Sequence, residues 1–424
     1  MTSFNRRDFL KASSAVGALT LAGCATTPRK PIARVVVIGG GFGGATAAKY
    51  IRLWAPQIEV VLVERNPAFV SCPLSNLVLG GTKTIEQLTT GYDALGSRYG
   101  VKVVRDVAVA VDPDKRQVRL ARGDALDYDR LIVSPGIDFL YDQIPGLATE
   151  EAQSRVLHAW KAGLQTVALR KQLEAIPDGG VYALHIPKAP YRCPPGPYER
   201  AAQVAFYFKQ HKPRSKVLVL DSNEDIVSKK GLFTKAWAER YPGIVEYHPN
   251  SELIDVDART LTAKLVGGDV RADVLNVVPP QRAGDIAKQA GLITANDRWC
   301  GVDWLTTESL AVKGIHVLGD ATLSAPGMPK SGFMANNQAK LAADAVIALI
   351  TGRPVNPHPI IANTCYSFVS DTDVVHVASV HKYDPEKKTL VAVEGAGGLS
   401  SAANELEGRY AQTWARNIWA DALQ

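Results

Sequence analysis

The stretch RVVVIGGGFGGATAAKYIRL, residues 34–53, decides the fold of this chain. Its first five residues are mostly β-branched, which predicts a parallel strand buried on both faces. Three glycines follow in G-x-G-x-x-G spacing: Gly39, Gly41 and Gly44. Glycine at these positions allows a tight turn, a close approach of a pyrophosphate to the backbone, and close packing of a helix on the strand. Residues 45–53 predict that helix, so the stretch indicates a dinucleotide-binding loop.

A second strand and an acidic residue strengthen this prediction. Residues 59–63, EVVLV, predict a strand, and Glu64 follows it 20 positions after Gly44. A carboxylate at this point can accept hydrogen bonds from the hydroxyls of a ribose. The glycine motif alone is weak, but strand, glycines, helix, second strand and acid together predict a Rossmann-type dinucleotide site.

The composition is that of a globular protein with a large core. The chain has 424 residues, of which 46% are hydrophobic and 21% are charged, and we therefore expect two or three domains. Its net charge is +6, but +4 of this falls in residues 1–30. The remainder is close to neutral, which argues against a nucleic-acid partner. No stretch after the first 30 residues has 18 uninterrupted apolar residues, so we expect no transmembrane helix.

The N-terminus reads as an export signal. Residues 5–11, NRRDFLK, form a twin-arginine pattern, and a stretch of small, mildly apolar residues follows at 12–22. This predicts a signal segment over residues 1–30 and a periplasmic protein that folds, with its cofactor, before export. The alternative is an amphipathic first helix. Residues 21–24, LAGC, also fit a lipoprotein box in which acylated Cys24 would hold the protein at a membrane, and cleavage after Ala25 fits equally well.

Two later stretches resemble motifs of flavoproteins with two dinucleotide-binding domains. They are YDRLIVSPG at residues 128–136 and GIHVLGDA at residues 314–321. The resemblance assigns FAD to the first site and assigns Asp320 to the ribityl chain of the flavin; the alternative for Asp320 is a helix N-cap. The expected fold class is α/β, a disulfide-reductase-like flavoprotein with Rossmann-type parallel sheets and a C-terminal capping or interface domain. The expected domains are 31–150 with 275–352 for FAD, 151–274 for a second nucleotide-binding-like domain, and 353–424 for the interface domain.

The second domain keeps its strands but lacks its glycine loop. Residues 180–184 and 216–221 predict two buried strands. The loop between them, KAPYRCPPGP at 188–197, has one glycine and four prolines, so most of its backbone is kept out of the left-handed region and amide donors are missing. We therefore expect no NAD site. The loop instead presents Cys193, and the predicted helix at 199–209 would begin near it and favour its thiolate.

Cys365 is the candidate partner of Cys193. A bridge between them has two interpretations. It could be an ordinary disulfide that stabilises an exported protein, or, because Cys193 stands where a nicotinamide would meet the flavin, a redox-active one.

Nearly the whole chain after residue 30 resembles the flavoprotein subunit of flavocytochrome c sulfide dehydrogenase. The resemblance rests on GGGFGGATAA, CPLSNLVLGG, HAWKAG, YRCPPGPYER, PPQRAG, GIHVLGDA, MPKSG and NTCYS. It implies that Cys72 attaches FAD covalently through a thioether and that Cys193 and Cys365 form a catalytic disulfide. It also implies that Glu199 assists proton transfer and that Lys330, at the start of a predicted helix, lies near the pyrimidine end of the flavin.

Each of these assignments has a plain alternative. Cys72 could be a buried small side chain or could pair with Cys300, and Glu199 could be a first-turn helix carboxylate. Lys330 could be a solvated charge. Cys300, which follows a tryptophan, is expected to be a buried free thiol.

The expected reaction is oxidation of a small inorganic sulfur compound, hydrosulfide, through the disulfide and the flavin. The sequence has no C-x-x-C-H haem motif, and no metal site is predicted. The resemblance therefore implies a separate c-type cytochrome subunit, which holds the haem and docks on residues 355–424, where Trp414 and Trp419 lie. Within this region, residues 394–405, EGAGGLSSAANE, predict a loop. The alternatives are a sulfide:quinone oxidoreductase and a non-catalytic, flavin-containing stabiliser of a cytochrome or sulfur-carrier complex.

Overall fold

The computed structural model describes residues 30–424, so the twin-arginine pattern and Cys24 lie outside the described residues. The strands are β1 Ala33–Ile38, β2 Ile58–Val63, β3 Phe69–Val70, β4 Thr89–Thr90, β5 Lys102–Val104, β6 Ala108–Asp112, β7 Gln117–Leu120, β8 Ala125–Asp127, β9 Arg130–Val133, β10 Ile137–Phe139, β11 Val181–Ile186, β12 Lys216–Asp221, β13 Val245–His248, β14 Leu253–Asp257, β15 Thr262–Leu265, β16 Gly268–Arg271, β17 Val274–Val277, β18 Gln281–Ala283, β19 Ile315–Val317, β20 Ile360–Phe368, β21 Val374–Asp384 and β22 Thr389–Leu399. The α-helices are α1 Phe42–Trp54, α2 Asn76–Gly80, α3 Asp93–Tyr99, α4 Glu150–Arg155, α5 Leu164–Ala175, α6 Gly196–His211, α7 Lys230–Arg240, α8 Asp285–Gln289, α9 Gly332–Thr351 and α10 Glu405–Leu423.

The first sheet is a five-stranded parallel sheet in the order β19-β9-β1-β2-β5. Side chains alternate along its strands, so Val35 and Val37 of β1 pack on one face against α1, α9 and the end of α10. Val36 and Ile38 pack on the other face against the antiparallel sheet β6-β7-β8 and helix α8. Because both faces are covered, the strands are continuous apolar runs, as the sequence predicts.

The second sheet is a four-stranded parallel sheet in the order β13-β12-β11-β17. Helices α5, α6 and α7 contribute to the core on one face, and the antiparallel sheet β14-β15-β16 covers the other. Strands β11 and β12 lie where the sequence predicts them, and α6 begins directly after the loop that holds Cys193. Two parallel sheets, each with a helical layer, confirm the predicted α/β class.

The C-terminal residues form the antiparallel sheet β20-β21-β22 followed by α10. Helix α10 folds back onto α1, where the ammonium of Lys49 donates to the carbonyl oxygen of Ala420 at 3.0 Å. The expected loop at 394–405 is wrong in its first half, because β22 continues to Leu399. The three glycines at 395, 397 and 398 have positive φ within this strand, and its register to β21 shifts there. Glycine lets the strand bend while it stays paired.

No helix among residues 30–424 combines the length and the apolar character needed to cross a membrane.

Candidate functional site

The glycine loop has the geometry that a dinucleotide requires. Gly39 has φ of 97°, in the region that favours glycine. A side chain at Gly44 would overlap the carbonyl oxygen of Gly39, so glycine is needed where α1 packs on β1. A Cβ at Gly41 would meet nothing within 4 Å, which leaves the backbone open at the helix N-terminus. Glu64, at the end of β2, accepts hydrogen bonds from the amide of Gly40 at 2.6 Å and from the amide of Asn66 at 2.7 Å.

Four buried polar atoms without a hydrogen-bond partner lie among neighbouring residues around Arg192 and Lys330. The Oδ1 atom of Asp320 is buried without a hydrogen-bond partner, as are Nε of Arg192, Nε2 of Gln281 and Nε1 of Trp299. Burial raises the pKa of Asp320, and the charges of Arg192 and Lys330 oppose this effect. Asp320 lies in the 3₁₀ turn Gly319–Ala321 and caps no helix through its side chain. Buried polar groups cost free energy unless they are bonded, so these atoms, together with the open glycine loop, fit FAD.

Cys193 is held by backbone hydrogen bonds in a strained conformation. Its φ is 58°, so the cysteine is an exception to the expectation that most of this proline-rich loop stays out of the left-handed region. Its N–H donates to the carbonyl oxygen of Lys330 at 2.8 Å, and its carbonyl oxygen accepts from Gly196 at 2.9 Å. Gly196 is required here, because a Cβ at that position would lie 2.8 Å from the sulfur of Cys193. Burial raises the pKa of the Cys193 thiol to about 12, and Cys365 contributes to this rise.

Cys365 lies in β20 and reaches the same part of the structure. Its sulfur accepts a hydrogen bond from Nδ2 of Asn363 at 3.3 Å, and Oδ1 of Asn363 accepts from Ser331 at 2.5 Å. Lys330 and Ser331 therefore connect the Cys193 loop with the Cys365 strand. Burial raises the pKa of the Cys365 thiol. Among residues 30–424 the four cysteines are all free thiols, so the Cys193–Cys365 disulfide stays a prediction.

Glu199 connects the segment that carries Cys72 with the segment that carries Cys365. It lies in the first turn of α6 and is buried. Its Oε2 accepts from Asn76, four residues after Cys72, and its Oε1 accepts from the amide of Phe368, three residues after Cys365, both at 2.8 Å. Burial raises the pKa of its carboxyl. Its position suits a proton carrier, and that role stays a prediction.

Cys72 lies beside a buried guanidinium. Nη1 of Arg192 donates to the sulfur of Cys72 at 2.9 Å. Although burial opposes it, the charges of Cys72 and Asp320 raise the pKa of Arg192. The structure therefore brings Cys72 close to the residue that precedes Cys193. Cys300 is fully buried and unpaired, in agreement with its expected place as a buried free thiol.

Lys330 is buried, so it is not a solvated charge. Its ammonium donates to the carbonyl oxygens of Asp320 and Thr322 and lies 3.8 Å from the centroid of the Trp299 ring. Burial lowers its pKa to about 8. The helix α9 begins at the next-but-one residue, where a helix start is predicted, and Ser331 is its N-cap. Whether Lys330 acts on a flavin stays a prediction.

Sequence reasoning missed three side chains that lie next to the cysteines or hydrogen-bond to them. They are Arg192, Asn363 and Lys229, and the first two stand beside the cysteines in YRC and NTC. Lys229 gives no signal, because KKG in a loop resembles a solvated surface. Among residues 30–424 no three His, Cys, Asp or Glu side chains are placed to hold a metal ion.

Family models match four parts of the chain. Residues 33–173 match "Pyridine nucleotide-disulphide oxidoreductase", and residues 3–23 match the twin-arginine translocation signal. Residues 166–279 match the central part of "Sulfide dehydrogenase [flavocytochrome c] flavoprotein chain". Residues 357–423 match "Flavocytochrome c sulphide dehydrogenase, flavin-binding".

Solved structures and curated sequences agree with these matches. The sulfide:quinone oxidoreductase structure from Aquifex aeolicus superposes with a TM-score of 0.74 at 18% identity, over 92% of this chain and 91% of that one. The mitochondrial sulfide:quinone oxidoreductase of Dictyostelium discoideum is 24% identical over 77% of this chain and 73% of its own length. The sulfide dehydrogenase [flavocytochrome c] flavoprotein chain of Chlorobaculum thiosulfatiphilum is 64% identical over 45 residues, which cover 94% of that sequence and 11% of this chain.

The fold and the site thus define an FAD-dependent oxidoreductase of the pyridine nucleotide-disulphide oxidoreductase class. Its central and C-terminal parts are specific to one group within that class. The chain belongs to the family of flavocytochrome c sulfide dehydrogenase flavoprotein chains, and its N-terminus carries a signal for twin-arginine export.

Proposed function

We propose that the chain is the flavoprotein subunit of a periplasmic sulfide dehydrogenase. Hydrosulfide gives up two electrons through Cys193 and Cys365, and these electrons leave through FAD to a c-type cytochrome subunit. The observation that carries the proposal is the meeting of the two cysteine segments at residues 330–331, through the bond from Cys193 to Lys330 and the bond from Ser331 to Asn363. Family membership supports the same reading.

FAD, when bound, would accept an electron pair from the cysteine pair and release single electrons to a haem. Gly39, Gly41 and Gly44 would hold its pyrophosphate at the N-terminus of α1, and Glu64 would contact its ribose. Asp320 would satisfy its unpartnered Oδ1 on the ribityl chain. We further propose that Cys72 holds the flavin covalently, which fits its partly buried position beside the Arg192 guanidinium.

The second domain would not bind NAD, and two features support this. The loop over Cys193 has few amide donors for a pyrophosphate. Asp221, at the end of β12 where a ribose-binding carboxylate would lie, already accepts hydrogen bonds from three neighbours. These are Tyr198 at 2.8 Å, Tyr247 at 3.0 Å and the amide of Asn223 at 3.0 Å. Two tyrosine side chains thus cover Asp221, which is fully buried, whereas the partners of Glu64 are Gly40 of the glycine loop and Asn66.

Near the cysteines, Glu199 would carry the proton that the reaction moves. Glu199 is buried with a raised pKa, so it can hold a proton at a pH where an exposed carboxyl would lose it. Its two hydrogen bonds keep it next to the Cys365 strand. Such a group can give its proton to a thiolate that forms in the cysteine pair and take it back later.

The proposed partner is a c-type cytochrome that docks on residues 355–424, and the chain would act in the periplasm after its export signal is cleaved. Acylation of Cys24 remains an additional proposal, which mass spectrometry of the mature N-terminus would decide. A quinone acceptor is the second candidate, because relatives named sulfide:quinone oxidoreductase share the fold.

The test is anaerobic mixing of the purified flavoprotein with sulfide. We expect the flavin absorbance to bleach in the native protein and not in Cys193→Ser, and added cytochrome c to become reduced only with the native protein. Cys300→Ser is the matched control, because this thiol is buried away from solvent, and it should bleach normally. Bleaching in Cys193→Ser would contradict the proposal, and electron delivery to a soluble quinone but not to cytochrome c would favour the second candidate.

A further inference from the structure

Lys229 is a buried ammonium whose hydrogen-bond partners are all uncharged. It precedes α7 as the N-cap residue, with φ of 57°, and is 4% exposed. Its Nζ donates to the carbonyl oxygen of Cys365 at 2.8 Å, to Oγ of Ser367 at 2.8 Å and to the carbonyl oxygen of Val375 at 3.1 Å. A positive charge is thus held inside the protein, against the strand that carries a reactive cysteine.

Burying a charge without a counter-ion costs free energy. The groups around Lys229 therefore indicate which negative charge it stabilises. Burial lowers the pKa of Lys229 to about 8, and four groups act against this: Cys365, Glu199, Cys193 and Glu407. Glu199 and Glu407 already have hydrogen-bond partners of their own, namely Asn76 and Phe368 for the first and Ser400 and His376 for the second. Neither the sulfur of Cys193 nor that of Cys365 has a charged hydrogen-bond partner, so a sulfur that becomes negative is the group left for Lys229 to stabilise.

The two sulfurs differ in what surrounds them. The sulfur of Cys365 accepts from Nδ2 of Asn363, and Ser331 holds the amide in this orientation by donating to its Oδ1. The charge of Lys229 and the hydrogen bond from Asn363 both lower the pKa of Cys365 and so favour its thiolate, against the effect of burial. The hydrogen bonds of Cys193 to Lys330 and Gly196 involve only its backbone. The charge of Arg192 also favours a thiolate on Cys193, but this guanidinium donates its hydrogen bond to the sulfur of Cys72.

We propose that Lys229 and Asn363 are positioning residues that stabilise a thiolate on Cys365 when the disulfide opens, so that the incoming sulfur becomes bonded to Cys193. This inference rests on the proposed function. Hydrosulfide attacks the sulfur of Cys193, the bond to Cys365 breaks, and its electron pair stays on Cys365. The products are a hydropersulfide on Cys193 and a thiolate on Cys365. The sulfide sulfur is oxidised by two electrons and the disulfide is reduced by two, and no proton is released.

The experiment is a sulfide titration of the flavoprotein as purified, without oxygen. Thiols and persulfides are trapped by an alkylating reagent in denaturant, and mass spectrometry locates them. In the native protein we expect the persulfide on Cys193 and the simple thiol on Cys365. In Lys229→Met the equilibrium constant for opening should fall by at least about 10-fold, because a nearby positive charge is lost. Lys229→Arg, which keeps the charge, should restore most of it.

Ser367→Ala is the matched control, because it removes one hydrogen bond of Lys229 and leaves the charge in place. The opening constant of Ser367→Ala should be close to that of the native protein. If Lys229 acted only through its hydrogen bonds to the structure, the loss of this bond would lower the constant as well. If Lys229→Met does not fold, Asn363→Asp provides the same test, since it sets a carboxylate against the sulfur and should also lower the opening constant.

Two results would overturn the inference: a persulfide on Cys365 in the native protein, or an unchanged opening constant in both Lys229→Met and Asn363→Asp. The proposed function fails in a different way. In that case sulfide would leave the cysteine pair of the native protein unopened, whatever residue stands at position 229.

Discussion

At the scale of single residues, Gly44 and Gly41 of the first loop have different roles. Gly44 lets α1 pack on β1, because any side chain there would overlap the carbonyl oxygen of Gly39. Gly41 faces open space, so a side chain would be tolerated by the protein alone. It would, however, stand where a pyrophosphate must approach the backbone.

Substitution of Gly44 should therefore affect stability, and substitution of Gly41 should affect flavin binding. Gly44→Ala should lower the free energy of unfolding by about 1–3 kcal/mol, the usual cost of overpacking. Gly41→Ala should leave the unfolding of flavin-free protein unchanged and lower the flavin content of purified protein. Denaturant unfolding and the ratio of flavin to protein absorbance measure both effects. Full flavin content in Gly41→Ala would place the dinucleotide elsewhere.

Cys72 lends itself to a simple test of attachment. The native protein should keep its yellow colour after acid precipitation, because a thioether survives unfolding. Cys72→Ala should release the flavin into the supernatant, whereas Cys300→Ser should retain it. Release from the native protein would show that the flavin is not attached through Cys72.

At the scale of elements, the buried strands and the start of α9 could be predicted, and the loop conformations could not. Strands β1, β2, β11 and β12 are apolar runs, and Ser331 caps α9 where the sequence indicates a helix start. The second half of β22 was predicted as a loop because it contains three glycines, which are rare in strands.

The candidate site follows the same division. Cys193, Cys365, Cys72 and Glu199 could be named from motifs, because their local sequences are distinctive. Lys229 could not, since it reaches Cys365 only through the packing of α7 on the C-terminal sheet. The left-handed conformation of Cys193 also depends on a distant group, the carbonyl oxygen of Lys330.

Strands β11 and β19 contain buried histidines that should make stability depend on pH. His185 in β11 and His316 in β19 each have one ring nitrogen without a partner, at Nδ1 and Nε2 respectively. Burial lowers the pKa of His185 from 6.5 to about 3 and that of His316 from 6.5 to about 4. The unfolded chain therefore binds more protons below pH 6.5, so this contribution to stability is complete above that pH and is lost as the pH falls towards 4.

Each of these histidines should contribute a slope of about 1.4 kcal/mol per pH unit between about pH 6 and pH 5. Urea unfolding at several pH values measures this slope. His185→Gln should remove one such contribution relative to the native protein. An equal slope in the two proteins would mean that His185 becomes protonated in the folded state.

At the scale of the whole molecule, two parallel sheets and a C-terminal sheet converge on one region. The glycine loop comes from the first sheet, Cys193 from the loop after β11 in the second, and Cys365 from β20 in the third. Helix α10 then fastens the C-terminal sheet to the first one through Lys49 and Ala420. The two cysteine segments, 172 positions apart in sequence, meet at residues 330–331, which composition and local pattern alone could not show.

The most direct measurement is disulfide mapping of the protein as isolated, by mass spectrometry of peptides without reduction, before and after one equivalent of sulfide under anaerobic conditions. The account predicts one peptide pair joined through Cys193 and Cys365, which sulfide converts to a persulfide and a free thiol. Finding both cysteines unpaired before sulfide, or joined to Cys72 or Cys300, would contradict it.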